Sequence, residues 1–151
     1  MTRHDKFRAA LVDPPAELLS NFFARPTDTA PMPFDHERLE AYQVALDFFD
    51  LADVVVDQLR HRGGRSNLAD QLARAALSIV NNIAEGAGKF SKPDKSRFYS
   101  IAIGSATEAA AMFDVCLRRQ LIAGETHERG KQLLERIVAM LIKLCRALRE
   151  N

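Results

Sequence analysis

The residues best placed to do chemistry lie between Arg74 and Glu108, in the run RAALSIVNNIAEGAGKFSKPDKSRFYSIAIGSATE. Arg74, Ser78, Asn82 and Glu85 are spaced four, four and three residues apart. On a helix that spacing sets a guanidinium, a hydroxyl, an amide and a carboxylate on one face. Arg97, Ser105 and Glu108 follow on a second helical stretch. Such groups in an Ala-rich interface need partners. They can bind one another across a helix pair and fix its register, or they can line a small pocket for an anion or a peptide. The first arrangement is the expected one. Glu85 then pairs with Arg97 near the turn, and Arg74 reaches Glu108 at the other end of an antiparallel pair.

Other chemistry finds little support. Ser78 and Ser105 have no nearby His or Lys base, so no nucleophile–base pair is visible. A di-iron bundle needs a Glu-x-x-His pair on each of two helices, and the sequence contains none. His61 falls in a loop, and His4, His36 and His127 lie near segment ends. Gly63–Ser66 lacks the Lys and the spacing of a phosphate-binding loop. Cys116 and Cys145 stand far apart, each within an apolar helical pattern, which reads as buried free thiols in a reducing compartment. The expectation is no enzyme, no catalytic residue, no metal and no cofactor.

The elements that carry these residues read as helices. From residue 35 onward the apolar period is helical throughout. Asp35 is the expected cap of a first helix over about 36–60, with Leu39, Tyr42, Leu46, Phe49, Ala52, Val56 and Leu59 inward. The segment HRGGRS breaks it. A second helix over about 67–87 turns Leu68, Leu72, Ala75, Ala76, Ile79 and Ile83 inward. Ser91 and Pro93 open a third over about 92–122, with Phe98, Ile101, Ala102, Ser105, Ala109, Met112 and Cys116 inward and Gly124 at its close. A fourth, about 126–149, buries Leu134, Ile137, Val138, Leu141, Leu144, Cys145 and Leu148. Short connections between long helices make neighbours antiparallel, so the fold class is all-α, an antiparallel up-down four-helix bundle over residues 35–151. Residues 1–34 hold five of the six prolines. They read as an irregular arm, with Ala16–Ala24 as a short amphipathic helix.

The chain has 21 Lys+Arg against 20 Asp+Glu, a net charge of +1. A sum this small does not by itself point to nucleic acid or membrane. The distribution is uneven. Seven acids and one Arg lie between Asp35 and Asp57, giving −6. Lys89, Lys92, Lys95 and Arg97 surround one acid, giving +3, with Phe90, Phe98 and Tyr99 interleaved. The last helix adds Arg146 and Arg149 near its end. Cations beside stackable rings are one route to single-stranded nucleic acid. An acidic helix with basic segments elsewhere also suits self-assembly. The N-terminus lacks a secretory apolar core, and no apolar run reaches the roughly 18 residues that span a bilayer. A cytoplasmic protein without membrane contact is expected.

The run SIVNNIAEG, followed by SRFYSIAIGSATE, resembles the four-helix bundle family named after 23S ribosomal RNA intervening-sequence proteins, over about residues 36–149. The matching positions are Ser78, Ile79, Asn82, Ile83, Ala84, Glu85, Gly86, Arg97, Phe98, Ile101, Ala102, Gly104, Ser105 and Glu108. Two features depart from the family pattern. Its paired Arg before the motif is Ala73–Arg74 here, and its Phe-Pro segment between the first two helices is replaced by Arg60 to Asn67. The resemblance implies a bundle that assembles into a ring of five subunits, with no enzymatic activity. Relatives that serve diversity-generating retroelements are basic and bind nucleic acid and a reverse transcriptase. Two functions follow as expectations: a non-enzymatic ring-forming scaffold that recruits a partner protein, or an RNA- or DNA-binding accessory protein using Lys89, Lys92, Lys95, Arg97, Arg146 and Arg149.

Overall fold

A computed structural model of the chain describes residues 34–62 and 66–150. The chain divides into two units, Met1–Met32 and Pro33–Asn151, and the described residues belong to the second. The expected arm, with its short helix at Ala16–Ala24, and the Gly63–Gly64 loop lie outside them.

Among the described residues the structure is helical, with no strand. A 3-10 turn, Asp35–Arg38, precedes α1 (Glu40–His61), α2 (Ser66–Ala87), α3 (Lys92–Arg118) and α4 (Gly124–Glu150). At 1.5 Å per residue the helices are about 33–40 Å long. Each packs on its sequence neighbours, and α4 closes back on α1. This is the antiparallel up-down four-helix bundle.

The ends of the helices correct some expected boundaries. Asp35 does not cap α1. It opens the 3-10 turn, which the Glu37 carboxylate braces by accepting from the Phe34 amide at 3.0 Å. Ser91 caps α3 as expected, accepting from the Asp94 amide at 3.2 Å and donating to its carboxylate at 2.6 Å. At the far end α3 stops at Arg118 rather than near 122. Gln120 turns into the left-handed region with φ 55°, and the Leu121 amide reaches back to the Cys116 carbonyl at 2.8 Å. This leaves Leu121 and Ile122 buried as the plug of that end. Gly124 begins α4 instead of closing α3.

The core also rotates two of the expected faces. On α1 the buried set is Ala41, Val44, Ala45, Phe48, Ala52, Val55, Val56 and Leu59. Phe49, Tyr42 and Leu46 are only partly buried. On α3, Tyr99, Ala106 and Phe113 join the expected Ala102, Ala109, Met112 and Cys116, whereas Ile101 is 42% exposed. Phe48 and Phe113 meet across the centre with ring centroids 5.6 Å apart. Gly130 on α4 leaves the space that Phe113 occupies, because a Cβ there would overlap its ring.

Candidate functional site

Three of the seven expected network residues come together. The α2–α3 seam has small buried side chains on both sides, Ala75 and Ala76 on α2 and Ala102, Ala106 and Ala109 on α3. At its outer edge the Ser78 and Ser105 hydroxyls hydrogen-bond at 2.8 Å. The Asn82 amide donates to the Ser78 carbonyl at 2.8 Å and to the Ser78 hydroxyl at 3.1 Å. All three are half-buried. Below them Gly86 lies under Tyr99, where a Cβ would sit 2.7 Å from the ring. Burial, and then the nearby Cys145 and Asp35, push the Tyr99 phenol above its ordinary value, so it stays neutral.

The charged members behave differently. Arg74, Glu85, Arg97 and Glu108 are exposed, and neither expected ion pair forms within the chain. Glu85 instead pairs with Lys89 at 3.2 Å. Lys89 is one turn further along the same chain segment and needs no second helix to bring it into reach. The Arg97 guanidinium lies 6.0 Å from the Phe98 ring centroid. Arg74 and Glu108 are not among the ion pairs. The stripe therefore divides: a hydroxyl–amide cluster at the helix seam, and four charges around it on the outer face of the α2–α3 hairpin.

That outer face carries exposed apolar side chains besides its charges and Asn81. Leu77 on α2 is 48% exposed, and Ile101 and Val115 on α3 are 42% and 46% exposed. A Cβ added at Gly104 would meet nothing within 4 Å. By length and composition α3 is apolar enough to cross a membrane, which the sequence reading did not anticipate, yet only 33% of its most apolar stretch is buried. A helix that is apolar on both faces is normally covered on both. Arg97 and Glu108 on the outer face disfavour lipid as the cover.

The expected cationic set is partly spent on the fold. Lys95 donates to the Ala87 carbonyl at 2.6 Å, satisfying a carbonyl at the end of α2. Lys89 pairs with Glu85 and sits 4.9 Å above the Phe98 ring. Lys92, Arg146 and Arg149 remain exposed outside the ion pairs, with Lys92 and Arg149 lining one hollow. Beside them Phe90 projects fully into solvent.

One polar cluster escaped the sequence reading. On the α3–α4 seam, Asp114 lies 2.8 Å from His127 Nε2 and accepts from Lys131 at 3.1 Å through both oxygens. The hydrogen bonds from His127 and Lys131 hold its carboxyl below the usual range. These residues are 13 and 17 positions away in sequence, a separation no helical period flags. Among the described residues no group of three or more His, Cys, Asp or Glu is placed to hold a metal. Cys116 and Cys145 are free and buried. Burial pushes the Cys116 thiol up and leaves it a poor nucleophile.

Comparison with known proteins agrees with this architecture. No curated protein is similar enough to count as a match. Among solved structures, a crystal structure of a protein of unknown function from the S23 ribosomal protein family of Bacteroides thetaiotaomicron superposes with a TM-score of 0.66 at 22% identity, over 70% of this chain and 95% of that one. At that identity the likeness concerns the fold alone. The sequence pattern of the 23S rRNA-intervening sequence proteins matches residues 37–143. With the seam hydroxyls, the Gly86–Tyr99 contact and the bundle all in the matched span, the chain belongs to the 23S rRNA-intervening sequence protein family.

Proposed function

We propose that this protein is a non-enzymatic scaffold, assembled from several copies of itself into a ring of about five, that recruits a partner protein in the cytoplasm. The observation that carries the reading is the uncovered outer face of α2–α3, where Leu77, Ile101 and Val115 lie exposed on a hairpin whose other face is core. Exposed apolar residues that form a contiguous patch mark a protein contact. The two buried thiols suit a reducing compartment. Light scattering after size exclusion on the full-length chain tests it. A mass of about five protomers supports the ring, and a monomer at every concentration sinks the reading.

The second reading is an RNA- or DNA-binding accessory protein, and Phe90 is what favours it. Its ring is wholly exposed between Lys89 and Lys92, a suitable platform for an unpaired base. Binding of this kind is strong at low salt and collapses as salt rises. A mobility-shift titration of single-stranded RNA at two salt concentrations separates the readings. Five copies at +1 each carry about +5, a weak field for counterion release, which is why the scaffold stands first.

A further inference from the structure

The four charges on the outer face of α2–α3 form a repeated pattern. On α2 the stripe begins with Arg74 and ends with Glu85. On α3 it begins with Arg97 and ends with Glu108, over the same eleven-residue step. Eleven residues are close to three helical turns, so each Arg and its Glu share a face about 16 Å apart. All four are exposed. None pairs with another of the four, and only Glu85 enters an ion pair at all, with the flexible Lys89. The face between them holds Leu77, Asn81, Ile101 and Gly104, exposed and without net charge.

Resting on the self-assembly reading, we propose that neighbouring copies meet through these stripes. The α2 helix of one copy lies antiparallel on the α3 helix of the next, so that Arg74 faces Glu108 of the adjacent copy and Glu85 faces Arg97 of the adjacent copy. Two stripes with the same order of charges are complementary end to end only when antiparallel. A partner bearing one sign of charge would leave half of this face repelled, which selects a second copy of this chain as the occupant. Ile101 and Leu77 then lie in the middle of the contact, and Gly104 lets the facing helix approach. Both stripes lie on one outer face, so a two-fold pair of copies satisfies them together, and a head-to-tail ring satisfies each with a different neighbour.

Charge reversal on the full-length protein tests the register. Light scattering after size exclusion gives the mass, and thermal melting by circular dichroism gives the fold. R74E alone and E108R alone should each weaken self-association by roughly tenfold or more, while R74E/E108R in one chain should restore it. E85R, R97E and their double form a second, independent set. Restoration in either set, with melting unchanged by the single reversals at concentrations where the protein is monomeric, supports the register. Singles that leave the mass unchanged, or doubles no better than singles, overturn it while leaving the scaffold reading in place. A wild-type chain that is always monomeric removes both.

Discussion

The α2–α3 seam and the α1–α4 seam are built on opposite terms. Alanines and Gly86 are buried along α2–α3, and a hydroxyl pair 2.8 Å apart ties the two helices at the outer edge. The α1–α4 seam mixes small and longer side chains, Ala41 and Ala147 with Leu39, Met140 and Leu144, around a cleft of about 320 Å³. Its polar tie is one exposed ion pair, Arg136 with Glu40 at 3.1 Å. A tight seam of small residues admits no added atom, whereas a loose seam of flexible ones absorbs change. The outer edge of the α2–α3 seam also carries the family motif, and the tightest glycine contact joins α4 to α3 at Gly130 and Phe113.

The most severe way to probe close packing is to add a methyl where a ring already sits. Gly130→Ala pushes a Cβ into Phe113, which is fully buried against Phe48. Overpacking of this kind costs about 1–3 kcal/mol, and the better helix propensity of Ala returns up to about 1 kcal/mol. Calorimetry should show the melting temperature falling, by up to roughly 10 °C. An unchanged or higher value means that Phe113 has room to move and that the glycine is not there for packing.

Next in size is the hydroxyl pair. Ser78→Ala leaves the Ser105 hydroxyl short of its partner at a half-buried site, and removes one acceptor of Asn82. Each single change should cost about 1 kcal/mol. The Ser78→Ala/Ser105→Ala double should cost clearly less than the sum, because the second change no longer strands a partner. Strict additivity in a urea-denaturation cycle would break the claim that the two hydroxyls act as one device. The same treatment at the loose seam should give almost nothing. Arg136→Ala removes an ion pair whose side chains are 56% and 72% exposed, and exposed pairs contribute under about 1 kcal/mol. A loss equal to that at Ser78 would erase the distinction between the two seams.

What the sequence conveyed follows the same division. At α2 the small-residue face and the four-residue spacing of Ser78 and Asn82 leave one way to pack, so the inward set and the hydroxyl cluster are legible. At α1 the doublet Phe48–Phe49 and the triplet Val54–Val55–Val56 offer apolar residues on two adjacent stripes. Size favours the stripe through Tyr42, Leu46 and Phe49. The structure buries Ala41, Val44, Ala45 and Phe48 instead in the first half of the helix, and keeps the expected Ala52, Val56 and Leu59 in the second. At α3 both faces are apolar, and nothing local says which is core; the sequence points Ile101 inward and the structure turns it outward. The ion pairs across α2–α3 failed for another reason. Register brings Arg74 near Glu108, but long exposed side chains are not held by register, and Glu85 takes the cation on its own segment.

Acid offers the finest test, because it acts on a tie that neither period nor motif reveals. Asp114 joins α3 to α4 through His127 and Lys131, and those bonds hold its carboxyl below the unfolded value. A folded pKa that is depressed means that the unfolded chain binds the proton more readily. The tie therefore contributes fully above the unfolded carboxylate range and fades as pH falls through it toward the lower folded value. Asp114 is 53% exposed at its side chain, so solvent screening keeps the effect small. Asp114→Asn should lower the melting temperature slightly at neutral pH, and the gap from wild type should shrink as the pH is brought below the carboxylate range. Salt should shrink it too, since an exposed pair is screened. A gap that stays constant from neutral to acid would show that the α3–α4 seam is held by packing alone, as α2–α3 would be without its serines.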